Sequence, residues 1–161
     1  MLLGEIGVGK TSLVRRLALS EFATEYRATI GVDIYSYECA ATPTTPAMTM
    51  LLWDTEGDLG DSILEHVYCR GATAALVIAD VTRPPTIETA QSLAGRFEEK
   101  FPGRPALVIL NKIDPMTDAA DIDNRLTRLA REHVAATSAK TGERVAQAIG
   151  LLAGVIDRRG L

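Results

Sequence analysis

Gly4-Glu5-Ile6-Gly7-Val8-Gly9-Lys10-Thr11 is the stretch that decides the fold. It fits GxxxxGK[ST] and stands between the strand-like Met1-Leu2-Leu3 and a helix-like run from Lys10 to Leu19, the context that gives the pattern meaning. Gly4, Gly7 and Gly9 let the backbone wrap a phosphate. Successive N–H groups, Val8 among them, and the N-terminus of the following helix would face the β-phosphate. Lys10 would reach the β- and γ-oxygens, and the Thr11 hydroxyl would ligate Mg²⁺. Ser12 follows in the same turn and is counted with the binding residues. A glycine-rich turn with an exposed lysine is the alternative, which the strand-loop-helix context disfavours. By itself the loop says only that a nucleoside triphosphate binds.

Outward from the loop, short apolar runs alternate with helix-like segments, the pattern of an α/β sheet with helices on both faces. Strands are expected at Met1 to Leu3, Val32 to Ala40, Ala47 to Trp53, Ala74 to Asp80, Ala106 to Asn111 and His133 to Thr137. Helices are expected at Lys10 to Leu19, Ile63 to Arg70, Thr86 to Phe101, Asp121 to Glu132 and Arg144 to Arg158. Only Ala41 to Pro46 separate the second and third strands, too few residues for a helical crossover, so these two form an antiparallel hairpin. The acidic run Asp118 to Asp123 favours a helix start through the helix dipole. Three residues precede the loop where a central strand ordinarily has about five to six, and we expect a late chain start.

The 161 residues, 47% of them apolar, suit a single domain, 1–161, with a sizeable core. A net charge of −4 argues against broad nucleic-acid or anionic-membrane binding. Cys39 and Cys69 lack metal-like spacing and read as buried free thiols, which points to a reducing, cytoplasmic compartment. No apolar run approaches the roughly 18 residues of a membrane span. His66 and His133 share no metal or catalytic spacing, and surface or strand-edge roles are expected; Trp53 reads as core packing.

The base preference comes from two later loops. Asn111-Lys112-Ile113-Asp114 follows the apolar run Ala106 to Leu110, at the carboxyl end of a strand where open α/β sheets bind ligands. Asp114 can accept from guanine N1–H and its exocyclic amine together, a donor pair adenine lacks, and a partly unpaired buried carboxylate is costly. Thr137-Ser138-Ala139-Lys140 supplies a second loop after the next strand.

With these motifs in this order the chain resembles Ras-superfamily small GTPases. Thr29-Ile30-Gly31-Val32-Asp33, Trp53-Asp54-Thr55, Tyr68-Cys69-Arg70-Gly71-Ala72 and Asp80-Val81-Thr82 are particularly similar to the Rab branch. The resemblance covers essentially the whole chain. It implies an α/β Ras-like G domain: a six-stranded, mostly parallel sheet with one antiparallel strand and about five helices. It implies GTP and GDP as ligands, Mg²⁺ as cofactor, and a switch read by effector and regulatory proteins through Ile30, Gly31 and the Gly57 to Tyr68 region. It also assigns roles. Thr29, separated from Thr11 by the seventeen residues Ser12 to Ala28, would ligate Mg²⁺ in the triphosphate state. Phe22 would pack on guanine, Tyr26 would cover the phosphates, and the Ala139 N–H would meet guanine O6. Asp54 would hold a Mg²⁺-bound water and the Gly57 N–H the γ-phosphate. Lys112 and Lys140 complete the base-reading motifs.

One departure is chemical. Trp53-Asp54-Thr55-Glu56-Gly57-Asp58 stands where the family has Trp-Asp-Thr-Ala-Gly-Gln, so a short carboxylate replaces the glutamine that orients the attacking water. Slow intrinsic hydrolysis is expected, with Lys10, Thr29, Gly57 and Asp58 around the reacting phosphate; a nucleotide-binding interaction module with little turnover is the alternative. Arg27 is read as a solvated loop arginine rather than one supplied to the γ-phosphate in cis. Leu59-Gly60-Asp61 replaces the basic and aromatic residues typical of Rab switch II, so known Rab partners do not carry over. The end, Ile156-Asp157-Arg158-Arg159-Gly160-Leu161, holds no prenylation cysteine and the start no myristoylation motif, so no intrinsic membrane anchor and a soluble, prokaryotic homologue are expected.

Overall fold

The computed structural model describes residues 1–22, 31–55, 70–116 and 118–161. Among these residues, ten elements occur in the order β1 (Leu2–Leu3), α1 (Lys10–Leu19), β2 (Val32–Cys39), β3 (Met48–Thr55), β4 (Ala75–Asp80), α2 (Pro84–Lys100), β5 (Ala106–Asn111), α3 (Ala119–Arg128), β6 (Val134–Ala136) and α4 (Val145–Arg159). The expected helix at Ile63 to Arg70 lies, apart from Arg70, outside the described residues.

Strands β1, β4, β5 and β6 lie side by side in that order, all parallel, with Leu3 opposite Val77, Ile78 opposite Ile109, and Leu110 opposite Ala136. β4 and β5 are buried at every position, as strands covered on both faces must be. Alternation divides their side chains between two cores. Val77, Ala79, Val108 and Leu110 meet Leu93, Ala94 and Phe97 of α2 and Ile122 of α3. Leu76, Ile78, Leu107 and Ile109 meet Leu13 and Val14 of α1 and Ile149 and Leu152 of α4. The chain therefore leaves β1 for a helix on one face and β4 for a helix on the other. Where connections diverge in this way a crevice opens at the carboxyl ends of the strands.

β2 and β3 form the expected hairpin, Ile34 opposite Trp53. The hydrogen-bonded ladders are thus four strands plus two, where six in one sheet were expected. β3 lies beside β1, and a side-chain bond joins them: the Thr55 hydroxyl donates to the Leu2 carbonyl at 2.7 Å. A strand of two residues offers few backbone groups for a second ladder.

Element ends differ from expectation for local reasons. α2 begins with Pro84, because a proline in the first turn costs no hydrogen bond. α3 starts at Ala119, since the Asp118 carboxylate accepts from the Ala120 N–H, and it closes early through bonds from Leu129 N to Leu126 O and Ala130 N to Thr127 O. β3 runs on to Thr55 and so carries Asp54 within it. Cys39 is a buried free thiol, and Cys69 and His66 lie outside the described residues. His133 is buried just ahead of β6, at the strand edge but not at the surface, and Trp53 is half-buried. No helix among the described residues is long and apolar enough to cross a membrane.

Candidate functional site

The loop Gly4 to Gly9 joins β1 to α1 at the crevice. It turns through left-handed or extended-positive conformations, with φ of 137° at Gly4, 76° at Gly7 and 101° at Gly9. Side chains at two of these would collide: a Cβ at Gly4 meets the Ile78 carbonyl and one at Gly9 meets Asn111 Nδ2. α1 opens with Gly9 as its cap, and neither a capping side chain nor an acidic residue occupies its first turn among the described residues. The positive end of the helix dipole is left for an external anion.

Lys10 is folded back into the loop, its ammonium donating to the carbonyls of Gly4 (2.8 Å) and Glu5 (3.0 Å). Burial of the ammonium pushes its pKa down from 10.5 to about 8, with the carboxylates of Asp54 and Glu5 opposing the drop. Asp54, fully buried at the end of β3, thereby lies within electrostatic reach of Lys10. Thr11 is half-buried in the first turn of α1. A hydroxyl and a carboxylate are hard oxygen donors, the set that suits Mg²⁺ completed by phosphate and water oxygens. Thr11 and Asp54 are the described residues that would hold it, and the ion would neutralise charge on the phosphates. Ser12 is half-buried beside Thr11.

Asn111, at the end of β5, is buried and ties three segments together. Its Nδ2 donates to the Val8 carbonyl at 2.9 Å, and its Oδ1 accepts from the Ala139 N–H at 3.0 Å and the Thr137 hydroxyl at 3.2 Å. The Ala139 N–H, expected to face a base oxygen, is here directed to Asn111. Asp114 accepts from the Ser138 hydroxyl at 2.8 Å and lies 3.6 Å from the Lys140 ammonium. Asp114 thus joins the loop after β5 to the loop after β6. Lys112, held at φ 66°, donates to the Gly7 carbonyl and to Asp80 Oδ2, both at 2.7 Å.

Three residues that were not assigned a site role from the sequence complete the arrangement. Asp80, buried at the end of β4, accepts from Lys112, from Arg83 Nε (3.1 Å) and from the N–H and hydroxyl of Thr82 (2.9 and 2.6 Å). Burial opposes its charge, yet the bonds from Lys112 and Thr82 outweigh it and hold the carboxyl down at about 2. Arg83 also donates through Nη2 to the Ile6 carbonyl at 3.0 Å. Arg16, on α1, donates to the carbonyls of Ala139 (3.0 Å) and Lys140 (2.6 Å) and lies 5.9 Å from the ring centre of Phe22. α1 thus links the loop after β6 to the aromatic expected under the base. Asp80 stood at a strand's carboxyl end, which was a usable signal; Arg83 and Arg16 carried none.

Tyr26, Thr29, Ile30, Gly57 and Asp58, together with Arg27, Glu56 and the segment 59–69, lie outside the described residues. Gly31 is exposed at φ 82° just before β2.

A two-faced, mostly parallel α/β sheet with this loop between β1 and α1 defines a P-loop nucleotide-binding protein of the Ras-like architecture. The Ras family pattern matches residues 1–157. Human Ras-related protein Rab-32 is 30% identical over 161 residues, covering 94% of this chain and 71% of that protein. Pig Rab-32 is 30% identical over 138 residues, 83% of the chain and 61% of its own length. Paramecium octaurelia Ras-related protein Rab-7a is 29% identical over 138 residues, 83% of the chain and 66% of its own length. The chain belongs to the Ras family, as a Rab-like small GTPase.

Proposed function

We propose that the protein is a guanine-nucleotide switch that binds GTP and GDP with Mg²⁺ and hydrolyses GTP slowly. The observation that carries the base specificity is the convergence of Asn111, Asp114, Ser138 and Ala139 at the carboxyl ends of β5 and β6, beside the loop. In this reading Gly4, Gly7, Val8, Gly9, Lys10, Thr11 and Ser12 hold the phosphates. Phe22, Asn111, Lys112, Asp114, Ser138, Ala139 and Lys140 hold guanine, and Tyr26 closes over the phosphates. Thr11, Thr29 and a water on Asp54 hold the metal. Water attacks the γ-phosphorus, with Lys10, Thr29, Gly57 and Asp58 around it. Positioning and electrostatics supply the acceleration. Loss of the γ-phosphate removes the contacts of Thr29 and Gly57, and cytoplasmic effector and regulatory proteins read that change through Ile30, Gly31 and the Gly57 to Tyr68 region.

Asp58 sets the rate. A carboxylate beside the γ-phosphate adds repulsion where charge accumulates, so turnover is slow. The test is extraction of the nucleotide carried from expression, followed by single-turnover hydrolysis of radiolabelled GTP. Guanine nucleotide, with slow phosphate release lost in Lys10→Ala and accelerated in Asp58→Gln, is the expected outcome. Asp114→Asn should weaken guanine preference more than overall affinity. Adenine nucleotide in the purified protein would overturn the base assignment, and GTP surviving for many hours would favour an interaction module without turnover.

A further inference from the structure

Every carbonyl of the loop from Gly4 to Gly9 is engaged. Gly4 and Glu5 accept from Lys10, Gly7 from Lys112, Val8 from Asn111, and Gly9 from the Leu13 N–H in α1. The Ile6 carbonyl completes the series, and its donor is Arg83, whose guanidinium lies 3.9 Å from where a side chain on Gly7 would begin. Arg83 is itself held by Asp80, through the same Oδ2 that holds Lys112.

We propose that Arg83 is a positioning residue for the phosphate loop, one that no sequence motif announces. A peptide unit is planar and trans, so the carbonyl of one residue and the N–H of the next point in opposite directions. Drawing the Ile6 carbonyl toward Arg83 turns the Gly7 N–H away from it, and Lys112 does the same to the Val8 N–H through the Gly7 carbonyl. A cation on each carbonyl also strengthens the partial positive charge on the N–H at the other side of that peptide. Arg83 and Lys112, aligned by one carboxylate, therefore orient two adjacent donors for the terminal phosphates. Glu5 is fastened from α2, the helix that Arg83 caps, its carboxylate accepting from the Thr89 hydroxyl at 2.6 Å. α2 thus grips the outside of the loop at two consecutive residues.

The inference rests on the guanine-nucleotide reading above and deepens it. The experiment compares wild type, Arg83→Ala, Arg83→Gln and Arg83→Lys for dissociation of fluorescent GDP, for affinity toward GMP, and for the ³¹P resonances of bound GDP. Arg83→Ala should release GDP about tenfold faster, the effect of losing one charge-assisted hydrogen bond. GMP, which lacks the β-phosphate, should bind as before, and the β-phosphorus resonance should move while the α-phosphorus stays. Arg83→Lys should restore most of both. Unaltered GDP release and resonances, or equal losses for GMP and GDP, would overturn the proposal, the latter by marking general loosening. If Arg83→Ala does not fold, Arg83→Gln carries the same comparison. Wild type that binds no guanine nucleotide would remove the functional reading and the inference together, whereas normal wild-type binding with an indifferent Arg83 removes the inference alone.

Discussion

Lys10 illustrates how much chemistry one buried side chain concentrates. Its pKa of about 8 comes first from burial, with Asp54 and Glu5 partly restoring the charge. A phosphate beside the ammonium would favour the charged form, so nucleotide binding above about pH 8 must take up a proton. Affinity for GDP should fall about tenfold between pH 7 and pH 9, while Lys10→Arg, charged throughout, shows no such slope. Titration calorimetry across that range decides it, and a flat wild-type profile refutes the assignment. Fold stability runs the other way. A lysine whose pKa is lower in the folded chain than the unfolded 10.5 penalises folding below about 8, and the penalty is relieved as pH rises toward 10.5. The motif announced Lys10, Asn111 and Asp114 because their chemistry is tied to fixed local spacing. Arg83 and Arg16 escaped notice because what they do depends on which carbonyl a distant loop presents, and that is settled only by packing.

At the level of elements, the glycines set how closely strands and loops approach. Gly4 places the end of β1 against the Ile78 carbonyl of β4, and Gly9 lets the Asn111 side chain lie on the turn into α1. Gly4→Ala and Gly9→Ala should each lose about 1–3 kcal/mol of unfolding free energy, since each adds a backbone or side-chain collision to an unfavourable φ. Gly9→Ala should in addition lose nucleotide retention, because Asn111 would be displaced from Val8 and Ala139 together. Urea midpoints matching wild type would count against both. The element pattern itself was legible. Apolar runs of strand length, amphipathic helices and the six-residue connection Ala41 to Pro46 placed the cores of all the described elements and the hairpin direction. Helix ends were less so, because Asp118 and Pro84 act through cap geometry, which overrides periodicity by a residue or two.

For the whole molecule, the join between the parallel sheet and the hairpin is the feature a sequence pattern could not reveal. Backbone pairing follows from strand length and alternation, whereas the bond from the Thr55 hydroxyl to the Leu2 carbonyl is a side-chain substitute for it. Thr55→Val keeps the branched shape and leaves a buried carbonyl short of a donor, so it should cost about 1–3 kcal/mol. Faster amide exchange should follow in β1 and β3 but not in β5. Uniform exchange changes, or none, would show that the join is held otherwise.

The Asn111 side chain carries one more implication. A single amide group touches the loop at Val8 and the loop at Thr137 and Ala139. In our functional reading, the two ends of a nucleotide then share a common anchor and cannot be bound as independent fragments. Whatever coupling free energy a nucleoside contributes to pyrophosphate binding, pyrophosphate must return to the nucleoside in equal measure.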